Sequence, residues 1–176
     1  NFFQNPCQKI NLIGVTGTNG KTSTVSFIKQ ILGYDCKVGS IGTIEIYDGE
    51  KTITSINTTP ESLDIQKNLN EMIKNNCKYC VMEVSSHALV LNRIDNIDYE
   101  AAVFTNLTQD HLDFHKTLEN YKNAKEKLFY KTKSINIFNI DDKVGEEFFN
   151  KSLNRDIKTY TYGVEKEADF KAANIK

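Results

Sequence analysis

The sequence predicts an α/β protein in which a mostly parallel β-sheet is flanked by helices. Short apolar runs of strand length alternate with segments of helical period along the chain. Such alternation is typical of parallel strands joined by crossover helices. The length of 176 residues suits one domain, and 39% apolar with 26% charged residues allows a buried core.

The first predicted elements are a strand and a helix joined by a glycine-rich turn. Residues 10–15 are largely apolar and predict a short strand. From Lys21 onward the apolar residues recur with helical period, and Gly33 follows as a stop signal. The residues expected on the buried face of this helix are Val25, Ile28, Ile31 and Leu32.

A β-rich segment and a second helix follow. Residues 37–56 favour strands, with Asp48-Gly49 as a hairpin turn. Pro60 at a first helical position, behind Thr59 as the N-cap, predicts that the second helix begins there. Its apolar stripe comprises Ile65, Leu69, Met72 and Ile73.

The rest of the chain repeats the same alternation. Strands are predicted at residues 79–84, 101–105, 135–139 and 159–162, and helices at residues 118–130 and 142–153. Residues 169–176 resemble the start of a strand for which no later partner follows. Because the chain does not begin with Met, we expect it to be a segment of a longer protein.

Composition and charge argue against several classes of protein. The 22 basic and 23 acidic residues give a net charge of −1, whereas a nucleic-acid-binding protein has a basic surplus. No apolar run approaches the roughly 20 residues that span a bilayer, and no signal segment opens the chain. We expect a cytoplasmic, monomeric protein without membrane insertion.

The four cysteines predict free thiols. Cys77 and Cys80 have the spacing of a metal knuckle or a redox pair. Cys7 and Cys36 are isolated, so the second pair of a structural zinc site is missing. Cys80 also lies in a predicted strand rather than at a helix start. Buried or half-buried thiols in a reducing compartment are therefore expected.

The segment from Gly17 to Thr22 has the features of a phosphate-binding loop. Glycines between a strand and a helix let backbone N–H groups converge on phosphate oxygens, and the helix N-terminus adds partial positive charge. Lys21 would reach the β- and γ-phosphates, and the Thr22 hydroxyl would hold magnesium. The strict pattern has a glycine where this chain has Val15. A glycine turn followed by a solvated lysine is the alternative.

Three other side chains depart from their local pattern. Glu83 interrupts an apolar strand near its carboxyl end, so its carboxylate either reaches solvent or binds a ligand. His111 follows the strand that ends at Thr105, where it could bind a ligand or begin a helix. Lys125 falls within an apolar helical stripe, so it needs a partner, a lowered pKa or a side chain that snorkels to water. That stripe comprises Leu118, Tyr121, Ala124, Leu128 and Phe129.

Two polar residues have open interpretations. Arg93 could form a bidentate pair with a carboxylate or phosphate, or be a surface charge after an apolar run. Asn139 lies at a predicted strand end, where it or Asp141 could cap the following helix.

Four segments together resemble the Mur ligases: residues 16–22, 57–61, 82–89 and 106–113. The nucleotide loop of that family lacks the leading glycine in the same way. The branch that adds a diamino acid to the peptidoglycan stem peptide is the best match, and the second and third segments argue against the other Mur and folylpolyglutamate branches. The resemblance implies a P-loop NTPase-like central ATP-binding domain with a small β-rich insertion near residues 37–56. It also implies that an N-terminal uridine-nucleotide domain and a C-terminal Rossmann-like domain lie outside this chain.

The resemblance further implies ATP and two magnesium ions as cofactors, with UDP-N-acetylmuramoyl-L-alanyl-D-glutamate and a diamino acid (meso-diaminopimelate or L-lysine) as substrates. Catalysis would involve Lys21, Glu83, His111 and Lys125, the last as a carbamate. The implied ligand sets are Gly17, Thr18, Asn19, Gly20, Lys21, Thr22, Ser23 and Asn139 for ATP, Thr58, Thr59, Ser85 and Arg93 for the substrate, and Thr22, Glu83, His111 and Lys125 for magnesium. A non-catalytic nucleotide-binding module is the alternative, and the joint presence of the four catalytic candidates argues against it.

Overall fold

The computed structural model describes residue 3 and residues 5–175, and within them the backbone forms one nine-stranded sheet. The strands are β1 (Asn11–Thr16), β2 (Val38–Ile41), β3 (Glu45–Tyr47), β4 (Thr52–Thr54), β5 (Tyr79–Glu83), β6 (Tyr99–Phe104), β7 (Thr132–Asn139), β8 (Lys158–Gly163) and β9 (Phe170–Lys171). The helices are α1 (Lys21–Leu32), α2 (Ser62–Lys74), α3 (Ser86–Val90), α4 (Leu112–His115), α5 (Leu118–Tyr130) and α6 (Lys143–Ser152). The predicted α/β class is confirmed.

The sheet order brings the carboxyl ends of three strands together. The order is β4-β3-β2-β5-β1-β6-β7-β8-β9, and every neighbouring pair is parallel except β2–β3 and β3–β4. At the centre, Val15 of β1 is paired with Glu83 of β5 on one side and Val103 of β6 on the other. In open parallel sheets, ligands bind beyond the carboxyl ends of the strands. This edge is therefore the expected position of a site.

The core lies on both faces of the sheet. Because successive side chains of a strand point to opposite faces, Leu12 belongs to the larger cluster and Val15 to the smaller one. Helix α1 covers the smaller cluster with Val25, Ile28 and Leu32. Ile31 is 66% exposed, because it lies about 100° round the helix from that face. Its predicted burial is wrong, as is that of Leu118, which stands 46% exposed at the start of α5.

The start of α2 also differs from the prediction. The helix begins at Ser62 and its N-cap residue is Glu61, two residues beyond the expected position. The Thr59 hydroxyl donates to the Glu83 carbonyl (2.8 Å) and accepts from Ser85 N–H (3.0 Å). Since that hydroxyl ties the loop to the end of β5, Thr59 does not cap the helix.

Helix α6 is capped by Asp142, which excludes the alternative that Asn139 or Asp141 is its N-cap. Asp142 Oδ1 accepts from Val144 N–H (2.8 Å) and Gly145 N–H (3.2 Å). Its second oxygen, Oδ2, accepts from Leu107 N–H (2.9 Å) in the segment that follows β6. One carboxylate therefore joins α6 to that segment.

Several smaller expectations are decided by the structure. The hairpin turn is confirmed, since Asp48 Oδ1 accepts from Glu50 and Lys51 N–H at the β3–β4 connection. The short helices α3 and α4 were not predicted. Strand β9 pairs with the earlier strand β8 through Tyr162 and Phe170, while Lys176 of the predicted strand lies outside the described residues.

All four cysteines are free thiols, as predicted, and Cys77 and Cys80 are buried. Burial raises the pKa of the Cys80 thiol. In the described part of the chain, no helix has the length and apolar character needed to cross a membrane.

Candidate nucleotide site

The loop from Gly17 to Lys21 closes against the end of β6. A Cβ at Gly17 (φ +151°) would collide with Thr105 Oγ1, so the close approach of the two segments requires glycine. Gly20 (φ +81°) occupies the N-cap of α1, where no side chain caps the helix. The N–H groups of the first helical turn are therefore open to an anion.

Two lysine ammonium groups share one carbonyl oxygen in this loop. Lys21 Nζ donates to Gly17 O (3.0 Å) and Thr18 O (2.7 Å), and Lys125 Nζ donates to Gly17 O (2.8 Å). Burial lowers the pKa of Lys21, and the nearby negative charges of Glu83 and Asp110 only partly offset that shift. Since its ammonium is bonded to loop carbonyls, Lys21 is not simply a solvated lysine.

Lys125 is 1% exposed, which excludes the alternative of a side chain that snorkels to water. Its Nζ lies 4.5 Å from the centre of the Tyr121 ring. Burial lowers the pKa of Lys125 well below its ordinary value, and the nearby charge of Lys21 lowers it further. The shift is toward the neutral amine form of Lys125.

The Glu83 carboxylate is buried beside the loop at 1% exposure, so a solvent-exposed strand end is excluded. Its Oε1 accepts from Thr22 Oγ1 (2.9 Å) and Thr43 N–H (2.9 Å), and its Oε2 accepts from Thr43 Oγ1 (3.0 Å). Sequence reasoning missed Thr43, although it follows β2 at the same sheet edge. A cavity of about 290 Å³ adjoins Glu83 and Thr22 on the side of α1 and β2.

His111 lies on the β6 side of the loop with an exposed ring. Its backbone is left-handed (φ 51°) at the N-cap position of α4, where its side chain makes no capping bond. The His111 ring centre is 4.9 Å from that of His87 and 6.1 Å from that of Tyr121. Tyr121 is therefore near both His111 and Lys125.

The remaining nucleotide candidates are at the same edge. Asn139 Nδ2 donates to Thr105 O (2.9 Å), and its Oδ1 accepts from Asp141 N–H (3.1 Å). Ser23 is exposed in the first turn of α1.

The substrate candidates form a second group next to Glu83. Arg93 Nη1 donates to Thr59 O (3.0 Å), and Arg93 Nη2 lies 2.7 Å from Glu61 Oε1. The Arg93 side chain is only 18% exposed, which excludes the alternative of a free surface charge. Ser85 caps α3 by accepting from Ala88 N–H (3.2 Å), and the Thr58 and Thr43 hydroxyl oxygens lie 3.1 Å apart.

The donor set at Thr22 and Glu83 fits magnesium in part. Among the described residues, no group of three or more His, Cys, Asp or Glu side chains could hold a metal ion. A hydroxyl and a carboxylate 2.9 Å apart are, however, the hard oxygen donors that magnesium takes from a protein when phosphates and waters supply the rest. The residues present therefore suit an ion that arrives with a polyphosphate.

Comparison with known proteins gives consistent results. A family model described as the Mur ligase middle domain matches residues 15–176. The chain is 56% identical to UDP-N-acetylmuramoyl-L-alanyl-D-glutamate–2,6-diaminopimelate ligase of Clostridioides difficile, over all of this chain and 37% of the relative. It is 54% identical to ligase 1 of the same name from Clostridium acetobutylicum, over all of this chain and 36% of the relative. The chain thus spans little more than a third of these relatives.

Solved structures show the same fold. A diaminopimelate ligase of that name superposes with a TM-score of 0.82 at 31% identity, over 94% of this chain and 34% of that one. Folylpolyglutamate synthase of Mycobacterium tuberculosis superposes with a TM-score of 0.70 at 15% identity, over 94% of this chain and 46% of that one. The second likeness concerns the fold alone.

Proposed function

The chain belongs to the Mur ligase family, and from that membership we propose that it is the ATP-binding middle domain of an amide ligase of peptidoglycan precursor synthesis. The ligase adds a diamino acid to UDP-N-acetylmuramoyl-L-alanyl-D-glutamate. We take 2,6-diaminopimelate as that amino acid because the two relatives above carry it in their names. The proposal includes two further domains, one for the uridine nucleotide and one for the amino acid.

The observation that carries this proposal is the convergence of charged groups on one loop. Lys21 and Lys125 both bond to Gly17 O, while Thr22 joins the loop to the Glu83 carboxylate. An ammonium group on the loop, an uncapped helix N-terminus and a carboxylate beside Thr22 suit the binding of a magnesium–triphosphate, with Lys125 held next to them. A purely structural loop has no need of one buried and one half-buried lysine.

The proposed reaction has two steps. The D-glutamate carboxylate attacks the γ-phosphorus of ATP, the bond to the β-phosphate oxygen breaks, and an acyl phosphate and ADP form. The amine of the diamino acid then attacks the acyl carbon, and phosphate leaves as the amide forms and the amine gives up a proton. Lys21 exchanges its loop carbonyls for phosphate oxygens and neutralises the transferring group. The domain otherwise acts by positioning.

Bound magnesium would add charge stabilisation at the phosphates. Thr22 and Glu83 would hold one ion, and His111 with a carbamate of Lys125 would hold a second. The burial that lowers the pKa of Lys125 supports this modification, because a neutral amine can attack carbon dioxide and release a proton. Asn139 would contribute near the adenine, and Thr58, Thr59, Ser85 and Arg93 near the sugar-peptide substrate.

A Lys21→Ala substitution in the full-length enzyme tests the proposal. Ligation should fall by at least about 100-fold, because the group that neutralises the transferring phosphate is lost. Lys127→Ala on the exposed face of α5 is the matched control and should retain full activity. Undiminished ligation by the Lys21 variant would refute the catalytic assignment.

Assays with each diamino acid test the substrate. Amide should form with 2,6-diaminopimelate and not with L-lysine. The reverse preference would leave the ligase assignment standing but overturn the choice of amino acid. The 176-residue chain alone should form no amide, because the proposed amino-acid domain lies outside it.

A further inference from the structure

The segment that follows β6 is hydrogen-bonded to the nucleotide loop through Asn106. Thr18 N–H donates to Asn106 O (2.8 Å), and Asn19 N–H donates to Asn106 Oδ1 (2.9 Å). In return Asn106 Nδ2 donates to Asn19 O (3.1 Å). A carboxamide that accepts from and donates to the same residue fixes the orientation of both adjoining peptide groups.

Neighbouring bonds complete this contact. Thr105 Oγ1 donates to Asn19 O (2.7 Å), and Thr108 N–H donates to Thr18 Oγ1 (3.0 Å). The absence of a side chain at Gly17 is what allows the two segments to approach so closely. Of the side chains in this segment, Asn106 alone supplies two bonds to the backbone of one loop residue.

These bonds divide the loop amides into two groups. The N–H groups of Thr18 and Asn19 are already bonded to Asn106 O and Oδ1. The first intrahelical bond is from Thr24 N–H to Gly20 O (3.0 Å), so the N–H groups in the first turn of α1 have no partner within the helix. Phosphate oxygens would therefore meet this first turn and the Lys21 ammonium. The loop around Asn19 would act as a fixed support.

We propose that Asn106 is a positioning residue that holds the nucleotide loop in its phosphate-binding shape through Asn19, without touching the nucleotide. This inference rests on the proposed ATP-binding function. It also gives a physical reason why the loop can function with Val15, buried in β1, where the strict pattern has a glycine. In this chain the loop is held in shape by hydrogen bonds from the segment after β6 rather than by bonds within a longer glycine-rich loop.

The test compares phosphate-dependent with phosphate-independent binding in the full-length protein. Asn106→Ala removes both side-chain bonds, and Asn106→Asp keeps the acceptor but sets an oxygen against Asn19 O. Affinity for ATP should fall on the order of 10- to 100-fold in both variants, as expected for one or two lost hydrogen bonds. Affinity for adenosine, measured by ligand-observed NMR, should be unchanged. Asn123→Ala on the exposed face of α5 is the control and should match wild type.

Amide hydrogen exchange supplies a readout that does not depend on ligand. Without nucleotide, the Thr18 and Asn19 amides should exchange at least about tenfold faster in Asn106→Ala, while amides of β1 keep their protection. Unchanged exchange, unchanged ATP affinity or an equal loss of ATP and adenosine binding would each overturn the inference. So would global unfolding of both variants, since Asn106 would then support the whole fold. If wild-type protein bound no ATP, the proposed function would fail instead, and the exchange result would still decide the role of Asn106 in loop shape.

Discussion

Replacing Asp142 by alanine should destabilise the protein by about 2–4 kcal/mol, because its carboxylate serves two separate parts of the fold. Loss of the α6 cap, with its bonds from Val144 and Gly145 N–H, costs about 1 kcal/mol. Leu107 N–H would also lose its partner, and an unsatisfied amide at a residue only 9% exposed costs about 1–3 kcal/mol. At about 2–4 °C per kcal/mol, Tm should fall by roughly 4–16 °C.

Urea and thermal unfolding of wild type, Asp142→Ala and Asp142→Asn would measure this effect. The asparagine variant keeps an acceptor for the cap but can turn only an NH₂ group toward Leu107 N–H, so only the cap's share of the loss, about 1 kcal/mol, should return. Asp35→Ala, an exposed change after α1, should stay within about 0.5 kcal/mol of wild type. An alanine variant as stable as that control would refute the reasoning. If both Asp142 variants lost the same unfolding free energy, the separate contributions assigned to the helix cap and to the Leu107 amide would be refuted.

Three other changes have defined outcomes. Lys125→Met should remove a pH-dependent contribution to stability. Between the lowered folded-state pKa of Lys125 and its unfolded pKa of about 10.4, the unfolded chain binds a proton that the native chain does not. In that range the unfolding free energy of wild type therefore rises with pH, by up to about 1.4 kcal/mol per pH unit. Parallel pH profiles for wild type and Lys125→Met in denaturant titrations would contradict this. Gly39→Ala should cost about 1–3 kcal/mol in the same titrations, because a Cβ there collides with Met72 Sδ, and a neutral result would mean that Met72 moves aside. In the full-length protein, Arg93→Ala should raise KM for the proposed UDP-linked substrate about tenfold and leave KM for ATP unchanged, since it frees the loop at Thr59. Steady-state kinetics that show equal rises in both KM values would count against that assignment.

Local sequence signals were sufficient for most of the fold. Helix α5 was expected at residues 118–130 and is found there, because its apolar period and its capping residue Thr117 agree. The same reasoning misplaced the start of α2, where Pro60 is a good local signal. The Thr59 hydroxyl is instead used by the end of β5, a contact that spans 24 positions of sequence.

The sequence predicts where the site lies, but not which residues bond to its side chains. The periodicity of α5 put Lys125 on the buried face, and the structure confirms its burial. Its acceptor, Gly17 O, is 108 residues away. Likewise the pattern singled out Glu83, but the bonds from Thr43 depend on how β2 lies beside β5. Sequence periodicity identifies the face and edge of an element, whereas cross-strand neighbours follow from the sheet order.

Because Lys21 and Lys125 share Gly17 O as an acceptor, the charge of Lys21 acts on Lys125. An arriving polyphosphate that draws Lys21 off this oxygen would also remove the repulsive charge nearest to Lys125, which would keep its own bond. Occupancy of the loop would thereby change the electrostatic environment of a side chain on another helix.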